Sequence, residues 1–584
     1  MRRGVLLQAK EILWVHMIIK HKKVFIVLLA VLVLAVCAYT SLQYIRTSES
    51  KLAYLARRLV ESIVYPPDPD PREGLDIIGE TLYVDDIPAQ KTSFVRGKDN
   101  KLVIETPDAV RLCNYTTGYY LDLPPGTTFD FGKSPKFVTF FGEGFTGVIS
   151  RERAAESQVS GYVEHYFHRF ILNESFQADN RIRVIENTKD GDVNKITLLV
   201  DDPGNRPSMY THLIIETGSV YFYRIMLKYN EGHQQITDVI KNISGSFCHF
   251  RPKGYASYSL DFKPEIPEHW SAETKALYAR FAGPGNFMWG IFTEDVKNNG
   301  IDSAIPVIEQ ALEYKFELIL AYSHLPDEFP AEFMQKCHDE GRTVQLTYQL
   351  TDNNNEDLYT RSPLLELYRG KEFPEIRAFA KKAKEFGHPF LFRLNNEMNS
   401  DWTSYGGVNN LLDPDIYIEG WRTVYEIFEE EGVNNAIWIF NPNDVDFPPN
   451  NWNSAFAYYP GNSYVHMLGV TGYNTGTYYQ DVTGESWREF KDIYDGIAAE
   501  YDGAFDGFPW IITEFSSSSV GGDKAKWIDG MFNSLELYPN IKAAVWFSSA
   551  DYDPRPGYEE KVGRPYWLDE TPEVLEAFKK GLHR

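Results

Sequence analysis

From Phe287 to the C-terminus the chain alternates short apolar stretches with longer amphipathic ones, and this alternation constrains the fold more than any other feature. Eight strand-like segments stand out: Phe287 to Phe292, Phe316 to Tyr322, Thr343 to Leu350, Pro389 to Asn396, Asn435 to Asn441, Val465 to Tyr473, Trp510 to Phe515 and Ile541 to Ser548. Strands alternating with helical stretches indicate repeated β/α units over a parallel sheet. Eight such units in roughly 300 residues have the number and size of a closed (β/α)₈, or TIM, barrel. Counting also admits a doubly wound sheet; the positions of the polar residues favour the barrel.

In such a barrel the working residues sit at the C-terminal ends of the strands and on the loops that follow. The fourth strand ends at Glu397, and the seventh carries Glu514 behind Trp510, Ile511, Ile512 and Thr513. A carboxylate ending an apolar strand is costly unless it is paired or held for a task. Two of them, on strands that a barrel sets across its mouth from each other, point to chemistry. Glycosidic bond cleavage is the task that needs two facing carboxylates and no metal. One is protonated to assist the leaving oxygen; the other is ionised, to attack or to activate water. Their mutual repulsion raises one pKa. Arg393 is expected either to keep a neighbour ionised or to form a buried ion pair, and the Asn396 amide to bind the sugar 2-OH. No Cys/His spacing resembles a zinc site, and no Walker or dinucleotide glycine pattern occurs, so neither metal nor cofactor is expected.

The segment from Arg393 through Asn395, Asn396, Glu397, Met398, Asn399 and Trp402 to Gly406 resembles the acid/base segment of glycoside hydrolase family 26, the β-mannanase family. Tyr464 to Asn474 is similar to that family's sixth-strand segment, and Ile511 to Phe515 to its nucleophile strand. The resemblance covers about Gly285 to the C-terminus. It implies Glu397 as acid/base, Glu514 as nucleophile with retention of configuration, and Tyr473 as the hydroxyl that orients the nucleophile. It also implies sugar-stacking roles for Trp402 and Trp546, with core packing favoured for Trp438. Asn396, Ser400 and Tyr405 depart from the family's usual His, Gly and Trp, which leaves the sugar open.

Upstream, residues 77–255 read as a β-rich accessory domain, with bursts such as Lys136 to Phe141 and Ser219 to Leu227 and a helix around Ile236 to Ile243. No chemistry is expected there; His165 and His168 read as satisfied structural histidines. Cys113 and Cys248 bracket this segment and would permit one clamp. Residues 45–76, with Pro66, Pro67, Pro69 and Pro71, read as a stalk, and Val24 to Tyr44 as a membrane helix behind a basic arm, residues 1–23. Basic residues crowd the N-terminal side, so the arm is expected in the cytoplasm and the rest outside; initiation at Met17 would make the same segment a signal peptide. The formal net charge of -24 excludes nucleic acid as a partner.

The expected protein is therefore a membrane-anchored, extracellular retaining glycosidase, its barrel spanning residues 268–584. Its substrate would be a β-linked polysaccharide: β-mannan, xylan, mixed-linkage glucan or an exopolysaccharide. The rival reading is a catalytically silent carbohydrate-binding or polysaccharide-assembly scaffold.

Overall fold

The computed structural model describes residues 75–78, 81–84, 87–88, 91–95, 101–114, 116–154, 159–218, 220–250, 260–284, 287–351 and 361–584. The expected basic arm and membrane helix, and nearly all of the stalk, lie outside the described residues. Among the described residues no helix is long and apolar enough to cross a membrane.

The C-terminal half is a closed barrel of eight parallel strands, the fold that the positions of its polar residues favoured over a doubly wound sheet. They are β1 (Met288–Thr293), β2 (Leu318–His324), β3 (Thr343–Gln349), β4 (Phe390–Leu394), β5 (Ala436–Phe440), β6 (Met467–Thr471), β7 (Trp510–Phe515) and β8 (Ile541–Ser548). Closure comes from β8 against β1, with Met288 opposite Ala543 and Thr293 opposite Ser548. Side chains two apart along a strand share a face. Leu318, Leu320, Leu391, Ile437, Ile439, Met467, Ile511, Ala543 and Val545 fill the barrel. The intervening Ile319, Phe390, Phe392, Trp438, Phe440, Leu468, Ile512 and Trp546 join the outer core with the helices. The interior is tight: a Cβ on Gly469 would come within 2.7 Å of Ile439 and 2.8 Å of Thr513, so only glycine fits.

Antiparallel sheets precede the barrel: a small one of three strands within residues 75–88, and two larger ones. One has five strands, with Cys248–His249, Tyr119–Leu123 and Val110–Asn114 side by side; the other has seven, centred on Met209–Glu216, Tyr221–Tyr229 and Phe145–Arg153. Leu112 and Leu121 of the first share a core with Phe140, Ile149, Leu213 and Ile225 of the second. Cys113 and Cys248 both lie opposite Tyr120, on the strands either side of it. Two strand spacings, roughly 10 Å, therefore separate them, beyond disulfide reach, and the clamp does not form.

The outer face of the seven-stranded sheet is covered as well. Tyr210, Ile214, Phe222 and Met226 belong to the same buried core as the barrel's outer layer. Strand Tyr221–Tyr229 is thus buried on both sides, and its charged residues need partners. These lie at the start of the helix that follows β4. The Arg224 guanidinium donates to the carbonyl of Leu412 at 2.5 Å, and Lys228 reaches Asp413 at 3.1 Å and Asp415 at 2.6 Å. Leu411 and Leu412 hold φ of 58° and 54°. A left-handed conformation costs roughly 1–2 kcal/mol per non-glycine residue. Complete burial of both side chains and the Arg224 contact offset that strain.

The β layer also carries short helices that alternation did not reveal, among them α1 (Val159–Tyr166) and α2 (His168–Ile171). Val159, Tyr162 and Tyr166 form the buried stripe of α1. His165 and His168 fall off it and are exposed, which corrects their reading as satisfied structural histidines. Tyr162 accepts a hydrogen bond from the indole N–H of Trp452 at 3.0 Å, and Glu152 accepts from the backbone N–H groups of Asn451 at 2.7 Å and Trp452 at 3.1 Å. Through these contacts the β layer supports the loops after both β4 and β5.

Candidate active site

Glu397 lies one turn past the end of β4, on a strained backbone. Asn395 and Glu397 have φ of 47° and 57°, a conformation that costs roughly 1–3 kcal/mol per residue and persists only where the surroundings impose it. Here they do. Asn395 Oδ1 accepts from the Leu350 N–H at 2.7 Å, and the Glu397 N–H donates to the Asn441 carbonyl at 2.7 Å, tying β3, β4 and β5 together behind the carboxylate. Its Oε2 accepts from the Trp402 indole N–H at 3.2 Å.

Glu514 reaches the barrel interior through an irregularity. Ile512 and Phe515 both face the outer core, and the pairing of β7 with β8 slips between them, so Thr513 and Glu514 stand consecutively on the inner side. Bulges beside active sites re-aim side chains in this way. The Glu514 carboxylate meets the Arg393 guanidinium at 2.5 Å and accepts from the Tyr473 hydroxyl at 2.9 Å. Arg393 is fully buried, donating also to Thr347 Oγ1 at 2.7 Å and Asn441 Oδ1 at 3.0 Å. It therefore holds Glu514 in a buried ion pair and does not face a substrate.

The two carboxyl groups have different partners, Glu514 the Arg393 guanidinium and Glu397 the Trp402 indole. Burial, reinforced by the negative charge of Glu514, pushes the Glu397 carboxyl up to about 8, although Trp402 and Arg393 act against the shift. A carboxylic acid protonated near neutrality beside a carboxylate locked in an ion pair can give and take a proton while its neighbour attacks.

The remaining expected residues divide. Asn396 is buried, with Oδ1 accepting from Gln349 at 2.9 Å and Tyr405 at 3.2 Å, which fixes its amide with the NH2 group turned the other way. Trp402 stays 40% exposed and lies 5.2 Å from the ring of Phe447, itself 41% exposed; together they offer an open aromatic wall beside Glu397. Trp546 is fully buried among Phe515, Trp527 and Phe578, so its expected stacking role is corrected. Period-two alternation places it on the outer face of β8. Its neighbour Phe547 faces inward instead, stacked on Phe292 at 4.6 Å and edge-on to Tyr473 at 5.9 Å. Phe447, Phe547, Asn441 and Tyr322, whose ring lies under Arg393 at 5.4 Å, were missed. For Phe547 and Tyr322, inward parity near the end of a strand was the available signal.

With this geometry in place, residues 370–504, within the barrel, match the model of glycosyl hydrolase family 26. The chain is 26% identical over 286 residues to endoglucanase H of Acetivibrio thermocellus, covering 48% of this chain and 29% of that protein. It is 33% identical over 101 residues to a mannan endo-1,4-beta-mannosidase of Bacillus subtilis, covering 16% of this chain and 26% of that one. The chain thus spans less than a third of the length of these relatives. The catalytic domain of an endo-beta-1,4-mannanase from Bacillus sp. JAMB-750 superposes with a TM-score of 0.40 at 18% identity, covering 56% of this chain and 93% of that one.

Proposed function

We propose that the barrel is a glycosidase that cleaves a β-linked polysaccharide, β-mannan or a β-glucan, by double displacement. Glu514 attacks the anomeric carbon while Glu397 donates its proton to the departing glycosidic oxygen. Glu397 then takes a proton from water, whose oxygen displaces Glu514 from the same carbon, so configuration is retained. The observation that carries this reading is the division of labour between the two glutamates, one ion-paired to Arg393 and the other pushed up to about 8 by burial and by its neighbour. The mannan- and glucan-directed names of the relatives support the substrate class. Trp402 and Phe447 would stack on sugar rings, and Asn396 would bind the 2-OH.

From the sequence we further propose that residues 24–44 anchor the protein in the membrane, that residues 45–76 form a stalk, and that residues 77–255 and 268–584 are an accessory and a catalytic domain outside the cell.

The test is cleavage of mannan, glucan and xylan by the full chain beside its Glu397→Gln and Glu514→Gln variants, with the anomer of the first product followed by NMR. Retained product from the parent and near-total loss of rate in both variants are expected. An inverted product removes Glu514 as nucleophile, and a parent that binds glycans without cutting them replaces the enzyme by a silent scaffold.

A further inference from the structure

The β layer and the barrel enclose a cavity of about 340 Å³ between α1, α2 and the loop that follows β4. This lies within the range of small-molecule sites, about 300–1,000 Å³. From the β layer come Glu164, His165, His168 and Arg169; from the barrel loop comes Asp401; Tyr166 and Val408 give it apolar surface. Asp401 immediately precedes Trp402, the residue whose indole N–H donates to Glu397, so the cavity and the proposed acid/base share the loop that follows β4.

We propose that this cavity is a further carbohydrate subsite, built jointly by the β layer and the loop after β4, that takes one neutral sugar ring of the glycan whose backbone is cut at Glu397 and Glu514. The proposal rests on the glycosidase reading of the barrel. Its chemistry follows from the lining. Sugar hydroxyls both donate and accept, and are bound by planar groups of both kinds: the carboxylates of Asp401 and Glu164 accept, while the Arg169 guanidinium and the imidazoles of His165 and His168 donate. The Asp401 and Glu164 carboxylates line the space together with the Arg169 guanidinium, a mixed lining that suits a neutral ring better than an anion. Helices α1 and α2 lie outside the barrel sequence altogether, so here the accessory layer enters the substrate path and is more than a spacer.

The experiment compares the full chain with its Arg169→Ala and His165→Ala variants on two substrates, the polysaccharide and the shortest oligosaccharide the parent still cleaves. His165 is exposed and outside the buried stripe of α1, so its variant keeps the test valid if the half-buried Arg169 proves necessary for folding. Loss of one or two hydrogen bonds to a sugar should raise KM on the polysaccharide roughly tenfold. Values of kcat on both substrates, and of KM on the short one, should stay at the parent's. Unchanged KM on the polysaccharide in both variants overturns the subsite, as does an equal loss on both substrates. A parent inert on mannan, glucan and xylan alike overturns the glycosidase reading itself, and this subsite with it.

Discussion

Arg393 and Glu514 face each other at 2.5 Å inside the barrel, and the arginine has no exposed surface. Taking both charges out of water is expensive, and the pair survives because Thr347, Asn441 and Tyr473 satisfy what the two partners do not. Replacing Arg393 with methionine leaves a buried carboxylate uncompensated, at a cost of about 3–5 kcal/mol. We expect Arg393→Met to lower the melting temperature strongly and to abolish cleavage, and Arg393→Met/Glu514→Gln to recover most of the melting temperature but no activity. A double variant as unstable as the single one would show that Arg393 matters through packing alone.

The proton on Glu397 sets the alkaline side of the rate. Held near 8 by burial and by Glu514, it should give kcat/KM a falling limb near pH 8. In Glu514→Gln the repulsion disappears while the burial stays, so the titration of Glu397, followed by infrared or NMR, should move down but remain above an ordinary carboxylate. The stability effect has a definite sign. A carboxyl whose folded pKa is raised binds its proton more tightly in the native state, so its contribution to stability falls as pH rises from the unfolded value toward about 8. Glu397→Gln should therefore gain melting temperature over the parent at pH 9 relative to pH 5.

Tyr473 donates a hydrogen bond to the carboxylate of Glu514 at 2.9 Å. Hydrogen bonds to charged groups are worth about 1.5–3 kcal/mol. Tyr473→Phe should reduce kcat by roughly 10- to 100-fold with the fold intact. Steady-state kinetics beside circular dichroism checks both halves; a variant with the parent's kcat would leave Tyr473 without a role in orienting the nucleophile.

Glu152 lies in the β layer yet caps the turn at Asn451 and Trp452 in the loop after β5. Its removal strands the buried N–H of Trp452 and the part-buried N–H of Asn451, so Glu152→Ala should cost about 1–3 kcal/mol. Because sheet and barrel share one buried core, calorimetry should show that loss in a single transition covering both. Two separated transitions would mean that the layers unfold independently.

How much was legible beforehand varies with the range of the signal. All eight barrel strands lie within two residues of the apolar bursts that predicted them, because period-two burial on a closed sheet is a local pattern. Glu397 and Glu514 were visible for the same reason, as polar residues ending apolar runs. Trp546 shows where such reading stops: a tryptophan near a strand end is recognisable, but the face it takes depends on strand parity, and here parity turns it into the outer core. Helices α1 and α2 are too short for their stripe to stand out from the strands around them.

The sequence by itself determined the barrel, its two carboxylates and the loop that carries the first of them, since each is written in residues close together in the chain. Tertiary structure alone decided what those groups do to one another. Arg393 and Glu514 are over 100 positions apart, Arg224 and Leu412 nearly 200, and Glu152 and Trp452 300. Nothing local encodes such pairings. They arise when burial removes water and obliges every charged and hydrogen-bonding group to find its partner within the protein.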